Sequence, residues 1–170
     1  AKLLARPNSR HILILGAGTV AYSLRQAYGS FFPDAHFSIW NRTSERAERF
    51  AANFPDTVAV DNLEKAISDA DIISAATMSS EPIINGNWLK PGQHVDLIGA
   101  YRPDMREADD TALKRSTIYV DSFETTIDHI GELKIPIASS VIKREAVISD
   151  FYDIEAFSRS SDDEITLFKN

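Results

Sequence analysis

Residues 11–21 read HILILGAGTVA, an apolar run followed directly by the pattern G-x-G-x-x-A. The run His11–Leu15 has no polar face, which is typical of a strand covered on both sides in a parallel sheet. Gly16 allows a tight turn from strand to helix, and Gly18 lets the backbone approach a pyrophosphate without a Cβ in the way. Ala21 is small enough for the following helix to pack close to the sheet. The stretch therefore predicts a strand, a phosphate-binding turn and a helix.

The N-terminus of that helix is suited to an anion, because free N–H groups and the positive end of the helix dipole point at it. We expect the pyrophosphate of a dinucleotide to be held by Gly16, Gly18, Thr19 and Val20. A short glycine pattern is a weak signal by itself, but here a strand, a helix and a second strand stand at the right distances. The alternatives are a loop that has lost its ligand and a site for another nucleotide.

Apolar runs of strand length alternate along the chain with segments of helical period, which predicts an α/β fold. We expect a Rossmann-like, doubly wound and mainly parallel sheet with helices on both faces. The predicted strands are 11–15, 36–40, 57–60, 71–75, 94–98, 117–120 and 165–168. No repeat or linker interrupts the pattern, so residues 1–170 are predicted to form one NAD(P)-binding domain.

Helices are predicted between these strands. Residues at helical spacing follow the glycine turn and then the second strand, and the two sets are Val20, Leu24, Ala27 and Phe31, and Ala47, Phe50, Ala51 and Phe54. Pro55 is expected to end the second of these helices. Further helices are predicted over 62–68 and 107–114, and two short ones within 121–170.

The sequence after the second strand, Trp40-Asn41-Arg42-Thr43-Ser44, bears on the choice of coenzyme. A site that prefers NAD(H) usually places Asp or Glu here, to accept from the ribose 2′-hydroxyl. Arg42 can instead pair with a 2′-phosphate, Asn41 and Thr43 can donate to it, and Arg46 lies one turn further on. We therefore predict NADP(H), with NAD(H) as the alternative. Thr43 or Ser44 is also expected to cap the next helix, whichever coenzyme binds.

Four segments carry a resemblance to a known family. They are GAGTVA at 16–21, IWNRTSERAERFA at 39–51, ATMSSEPIINGNWLKPGQHVDLIGAYRPDMREAD at 76–109, and YVDS at 119–122. Together they resemble the ornithine cyclodeaminase/mu-crystallin family, and the similarity runs over essentially the whole chain. GAYRPDMRE at 99–107 is the most specific part.

This resemblance implies a Rossmann domain inserted in a second domain that forms the dimer. The opening AKLLAR and the closing EITLFKN read as cut edges, so we expect the second domain to come from segments outside this chain; an ordinary start and end is the alternative. Family members bind NAD(H) or NADP(H) and act on small amino acids or cyclic imino acids. The resemblance also places the coenzyme beside the loop Ala76, Thr77 and Met78 and beside Gly99.

One position departs from the cyclodeaminase branch of the family. That branch carries a catalytic Asp where this chain has Tyr101, directly after Gly99 and Ala100. A phenol does not ionise at neutral pH as a carboxylate does, so it is a poor substitute for a carboxylate base. Reduction of a C=N bond needs a proton for the nitrogen, which Tyr101 or water could supply. Tyr101 could instead only pack against the nicotinamide.

Composition excludes several classes of partner. The net charge of −7 disfavours nucleic acid and anionic membrane surfaces, since both require a basic face. No apolar run reaches the length of a membrane span. The absence of cysteine excludes disulfides and thiolate chemistry and fits a reducing, cytoplasmic location. The spacing of the four histidines predicts no metal site.

Charged residues after the fifth strand have an expected structural role. Asp104 and Glu107 stand three residues apart, which predicts a capped helix start rather than an acid/base site. Arg102 and Arg106 are expected to be solvated, with a substrate carboxylate as the alternative partner.

The sequence thus favours an NADPH-dependent reductase of a small cyclic imino acid, such as Δ1-pyrroline-2-carboxylate or Δ1-piperideine-2-carboxylate. The alternatives are an ornithine cyclodeaminase or amino-acid dehydrogenase of the same family, and a non-catalytic module that senses a dinucleotide.

Overall fold

All eight strands of the molecule lie parallel in one sheet, in a computed structural model that describes residues 1–170. The strands are β1 His11–Leu15, β2 His36–Trp40, β3 Thr57–Ala59, β4 Ile72–Ala75, β5 His94–Leu97, β6 Ser116–Val120, β7 Val147–Ser149 and β8 Ile165–Lys169. The α-helices are α1 Thr19–Phe31, α2 Ser44–Ala51, α3 Leu63–Asp69, α4 Asp110–Arg115, α5 Phe123–Thr126 and α6 Gly131–Ala138. Short 3-10 turns lie at Gly86–Trp88, Arg144–Ala146 and Phe151–Ala156.

The order across the sheet is β3-β2-β1-β4-β5-β8-β6-β7. The order in which strands are added therefore reverses between β1 and β4: β2 and β3 lie on one side of β1, and β4 lies on the other. Doubly wound sheets bind their ligands at this point. Even-numbered residues of β1, such as Ile12 and Ile14, pack against α1 and α2. Odd-numbered ones, such as Leu13 and Leu15, share a larger core with α3, α4 and α6. The predicted fold, with helices on both faces of a parallel sheet, is confirmed.

The sequence pattern did not predict two features of the sheet. β7 has only three residues, of which Val147 and Ser149 are buried and Ile148 is exposed, so it is too short to show a period. The last strand, β8, does not extend the sheet at its edge but enters between β5 and β6. This insertion depends on pairing over long sequence distances, which a local pattern cannot report.

Helix α1 is present as predicted, but the apolar positions that indicated it are not the ones that pack on the sheet. Its buried residues are Ala21, Arg25 and Tyr28, whereas Val20 and Phe31 are about half exposed. The Arg25 guanidinium lies 3.6 Å from the centroid of the Phe37 ring, and its Nε donates to Thr57 Oγ1. The Tyr28 hydroxyl donates to Asp96 Oδ2 at 2.5 Å. Both long side chains can therefore be buried because their polar ends are satisfied.

The exposed apolar side of α1 lines a shallow groove of about 250 Å³, together with the first two residues of the chain. This groove lies away from the glycine turn.

No helix of the chain is both long enough and apolar enough to cross a membrane.

The helix after β5 begins later than predicted. α4 starts at Asp110, and its cap is Asp109, whose side chain accepts from Ala112 N. The prediction that Asp104 caps this helix is wrong, since Asp104 is exposed and pairs with Arg102 instead. Residues 105–108 form a buried segment that precedes the helix, with an isolated bridge between Ile84 and Ala108.

Candidate functional site

The glycine turn after β1 has the conformation that its sequence predicts. Gly16 has a φ of +95°, in the region that favours glycine, and its N–H donates to Trp40 O at 2.8 Å. A Cβ at this position would lie 2.7 Å from Ala76 O, on the loop after β4. Gly16 is therefore required both by its backbone angle and by the close approach of a neighbouring loop.

The second glycine of the motif faces open space. Gly18 is the N-cap of α1, with extended backbone and no side-chain cap, and a Cβ on it would meet no atom within 4 Å. Thr19 and Val20 are exposed, and the first turn of the helix carries no acidic side chain. Since the first N–H groups of a helix have no partner within the helix, this end can receive an anion. A dinucleotide pyrophosphate fits here.

The loop after β2 joins the glycine turn through Asn41. Its Oδ1 accepts from Ala17 N at 3.2 Å, and its Nδ2 donates to Thr43 O at 3.0 Å. Asn41 thus holds two loops together, a role that the sequence did not indicate. Thr43 is the N-cap of α2, as expected, although its side chain makes no capping hydrogen bond.

Two cations stand free at the start of α2. Arg42 and Arg46 are exposed, and no salt bridge of the chain involves either guanidinium. Trp40 ends β2 and Asn41 follows it, and neither side chain carries a carboxylate. Both guanidinium groups are therefore available to pair with an anion.

The loops after β4 and β5 lie against each other beside the glycine turn. Ala76 and Thr77 are partly buried, and Met78 is 74% exposed. A Cβ on Gly99 would lie 1.9 Å from Thr77 O, so only glycine permits this approach. The structure therefore brings the predicted residues of both loops to the same edge of the sheet as the glycine turn.

Glu107 lies outside the helix that the sequence predicts for it. We predicted it in the first turn of a helix, but it is fully buried and lies before α4. Its Oε1 accepts from Thr77 N and Thr77 Oγ1, both at 2.7 Å. Its Oε2 accepts from Gly99 N at 2.8 Å and Ala100 N at 3.2 Å. The position in GAYRPDMRE was the available signal, because a Glu in the most family-specific segment could have been expected to serve the site.

Two more ionisable side chains are buried behind Glu107. Glu132 on α6 accepts from Glu107 N at 2.6 Å and from Ala108 N at 3.1 Å. Burial raises the pKa of Glu132 to about 7, against the effect of these two hydrogen bonds. Lys169, at the end of β8, donates to Leu97 O at 2.9 Å, and burial lowers its pKa while Glu107 and Glu132 act to raise it. The composition gave no indication of these buried charges.

The arginines near this segment differ in their surroundings. Arg106 was expected to be solvated but is buried, and it pairs with Asp110 at 2.8 Å and donates to Ala108 O. Its partners leave it little freedom to bind a substrate carboxylate. Arg102 is exposed, as expected.

Tyr101 follows Gly99 and buried Ala100 and is 60% exposed. It belongs to the loop after β5, at the carboxyl edge of the sheet, and Glu107 accepts hydrogen bonds from the two preceding residues of this loop. No group of three or more His, Asp or Glu side chains could hold a metal ion. The edge therefore combines an open helix N-terminus, two free guanidinium groups and a glycine-rich contact between loops.

Comparisons with known proteins identify the family of the chain. The model of the ornithine cyclodeaminase/mu-crystallin family matches residues 1–170. The chain is 51% identical to Delta(1)-pyrroline-2-carboxylate reductase of Paracoccus denitrificans, over 100% of this chain and 56% of that protein. It is 40% identical to ketimine reductase mu-crystallin of Mus musculus, over 87% of this chain and 48% of that protein.

Among solved structures, the Thermococcus litoralis Delta(1)-pyrroline-2-carboxylate reductase, in complex with NADH and L-proline, superposes with a TM-score of 0.93. The sequence identity is 28%, over 99% of this chain and 55% of that one. The chain thus spans about half the length of the relatives that it matches. With a family model that matches every residue and a relative at 51% identity, this chain belongs to the ornithine cyclodeaminase/mu-crystallin family.

Proposed function

We propose that this chain is the coenzyme-binding part of an NADPH-dependent reductase that acts on small cyclic imino acids of the Δ1-pyrroline-2-carboxylate or Δ1-piperideine-2-carboxylate type. The observation that carries the proposal is the open N-terminus of α1 beside the unpaired Arg42. The relatives in the same family, a pyrroline-carboxylate reductase and a ketimine reductase, support the substrate class.

The coenzyme would lie across the carboxyl ends of the strands, with its pyrophosphate at Gly16, Gly18, Thr19 and Val20. Its adenosine half would then extend over β2 toward Arg42 and Arg46, and its nicotinamide half over the loops after β4 and β5. The bound coenzyme supplies the hydride for the imine carbon, and the imine nitrogen takes up a proton.

The preference for NADPH rests on charge. A 2′-phosphate would meet the planar fork of Arg42, with Arg46 one turn further on and the dipole of α2 behind it. NADH lacks the 2′-phosphate and therefore has no group here that could pair with Arg42 or Arg46. Asn41 would act here chiefly by holding the glycine turn, since its Nδ2 already donates to Thr43 O.

The hydroxyl of Tyr101 would be the donor of the proton that the imine nitrogen takes up, with water as the alternative donor. The other role left open for Tyr101 is packing against the nicotinamide ring. A Tyr in place of a carboxylate also argues against ornithine deamination, which needs a base at this position.

Three further predictions concern the whole protein. We propose that the chain is one domain of a longer polypeptide, that the longer protein forms a homodimer through the other domain, and that it resides in the cytoplasm. The relatives' greater length supports the first of these.

The first experiment is calorimetric titration of the chain with NADPH and with NADH, for the wild type and for Arg42→Asp. We expect NADPH to bind more tightly to the wild type, and the substitution to weaken NADPH by about a hundredfold, the equivalent of about 2.7 kcal/mol. NADH should change by less than about threefold, because it lacks the phosphate that Arg42 pairs with. Equal losses for both coenzymes would contradict the NADPH assignment, and no binding of either would overturn the proposal.

The second experiment measures NADPH oxidation by a protein of the relatives' full length, with cyclic imino acids as substrates. Turnover of an imino acid is the expected result. Ammonia release from ornithine, oxidation of an amino acid without imine reduction, or tight binding without turnover would each overturn it in favour of one of the alternatives.

A further inference from the structure

We propose that Glu107 is a positioning residue of the coenzyme site, whose carboxylate locks the loops after β4 and β5 into the surface on which the nicotinamide half rests. The inference depends on the proposed function, because it assumes that a dinucleotide lies across this edge of the sheet.

The geometry gives Glu107 a contact with each loop. One carboxylate oxygen takes both donors of Thr77, on the loop after β4. The other oxygen takes two successive N–H groups, of Gly99 and Ala100, on the loop after β5. A single side chain therefore fixes the separation of the two loops, and four donors satisfy a carboxylate that is fully buried.

The hydrogen bonds require a carboxylate rather than any polar group. All four partners are donors, and a carboxylate is the side-chain group that accepts at both ends. An amide in its place would turn its NH2 toward at least one backbone N–H in either orientation, because Thr77 N lies on one side and Gly99 N and Ala100 N lie on the other. One of the two loops would then lose its anchor.

Glu107 is itself held on both sides of its backbone. Its N–H donates to the Glu132 carboxylate, and its carbonyl oxygen accepts from Ile83 N and Ile84 N, both at 2.9 Å. Arg106 N donates to Ser79 O at 3.1 Å, which attaches the same segment to the loop after β4. The carboxylate is thus mounted on a rigid support, as an accurate binding site requires.

The loop after β4 also lies against the glycine turn. The Cβ positions of Gly99 and Gly16 both fall within 3 Å of the loop after β4, at Thr77 O and Ala76 O respectively. A shift of that loop would therefore move the surface against which the glycine turn packs. Glu107 positions the nicotinamide side directly, and the pyrophosphate side only through these contacts.

The test compares Glu107→Gln with the wild type, using NADPH and the fragment 2′,5′-ADP, which carries the adenosine and its 2′-phosphate but no nicotinamide. We expect the substitution to raise the Kd of NADPH about tenfold or more, and to change that of 2′,5′-ADP less than about twofold. A purely structural role would weaken both ligands alike, and that result would overturn the inference.

Asp71→Asn is the matched control. Asp71 also accepts two backbone N–H groups, of Arg10 and His11, but it lies at the amino ends of the strands, opposite the coenzyme edge. We expect it to lower the melting temperature without changing the ratio of the two dissociation constants. A change in that ratio equal to the change in Glu107→Gln would also count against the proposal.

A measurement on the wild type covers the case in which Glu107→Gln does not fold. Amide hydrogen exchange of Thr77, Gly99 and Ala100 should be slow in the free protein, since their N–H groups are bound to Glu107 before any coenzyme arrives. Exchange at the rate of a mobile loop would overturn the inference. Failure of the wild type to bind NADPH or NADH would instead overturn the proposed function, so the two failures are distinguishable.

Discussion

The two halves of the carboxyl edge of the sheet, our proposed coenzyme edge, are built in different ways. On the β1–β2 side, the groups expected to meet the ligand, among them Gly18, Arg42 and Arg46, are exposed and have space in front of them. On the β4–β5 side, Thr77 and Gly99 are locked to each other and to buried Glu107. The first half presents unpaired groups to the ligand. The second half presents a surface whose shape is fixed by the hydrogen bonds of buried Glu107.

We expect the open side to recognise the ligand and the locked side to position it. Substitutions on the open side should change ligand affinity with little effect on folding, because the native structure does not use those side chains. Substitutions on the locked side should affect stability and affinity together, because the same contacts serve both.

The largest expected effect contrasts two glycines. Gly99→Ala should lower the free energy of unfolding by about 3 kcal/mol or more, since its Cβ would lie 1.9 Å from a backbone oxygen. Gly18→Ala should cost less than about 1 kcal/mol, because its extended backbone suits alanine and its Cβ meets nothing. It should nevertheless weaken NADPH about tenfold, by placing a Cβ against the pyrophosphate. Urea denaturation and calorimetry measure the two quantities; equal stability losses would remove the contrast.

The next effect concerns the support behind the locked side. Burial raises the pKa of Glu132 to about 7, so the folded state binds a proton that the unfolded state releases near its ordinary value of 4.5. The contribution of Glu132 to stability is thus complete below about pH 4.5 and is lost as pH rises to about 7. The loss is about 3 kcal/mol in total. Glu107, Arg106 and Lys169 are the charged groups that face it.

Another buried group opposes this slope. Burial lowers the pKa of His94 to about 3 from 6.5, so its contribution to stability increases with pH up to about 6.5. The informative measurement is therefore the difference between the wild type and Glu132→Gln, from urea denaturation between pH 4.5 and 8. We expect the wild type to lose stability relative to the variant over this range. A difference that does not change with pH would show that Glu132 does not titrate there.

The smallest expected effect tests the junction between the halves. Asn41→Ala removes the acceptor of Ala17 N and should cost about 1 kcal/mol of stability. Because the glycine turn serves both coenzymes, NADPH and NADH should weaken by the same factor, on the order of threefold. Titration of both ligands checks this. A loss confined to NADPH would mean that Asn41 binds the 2′-phosphate itself, as Arg42 is proposed to do.

The sequence predicted the local structure of the β1–β2 side. The glycine turn lies where HILILGAGTVA placed it, and Arg42 and Arg46 are exposed at the start of a helix. The locked half was predicted only in its parts. Thr77 and Gly99 were assigned to the coenzyme edge, but the residue that joins them was assigned to a helix.

What the sequence alone determined is local: a turn that needs glycine, strands with no polar face, and a β2 end without a carboxylate. Each of these is written in a few consecutive residues. Only the tertiary structure decided that β8 enters between β5 and β6, that Arg25 and Tyr28 form the buried side of α1, and that Glu107 spans two loops. The physical reason is that a polar side chain can be buried only when its partners are in place, and those partners lie far along the chain.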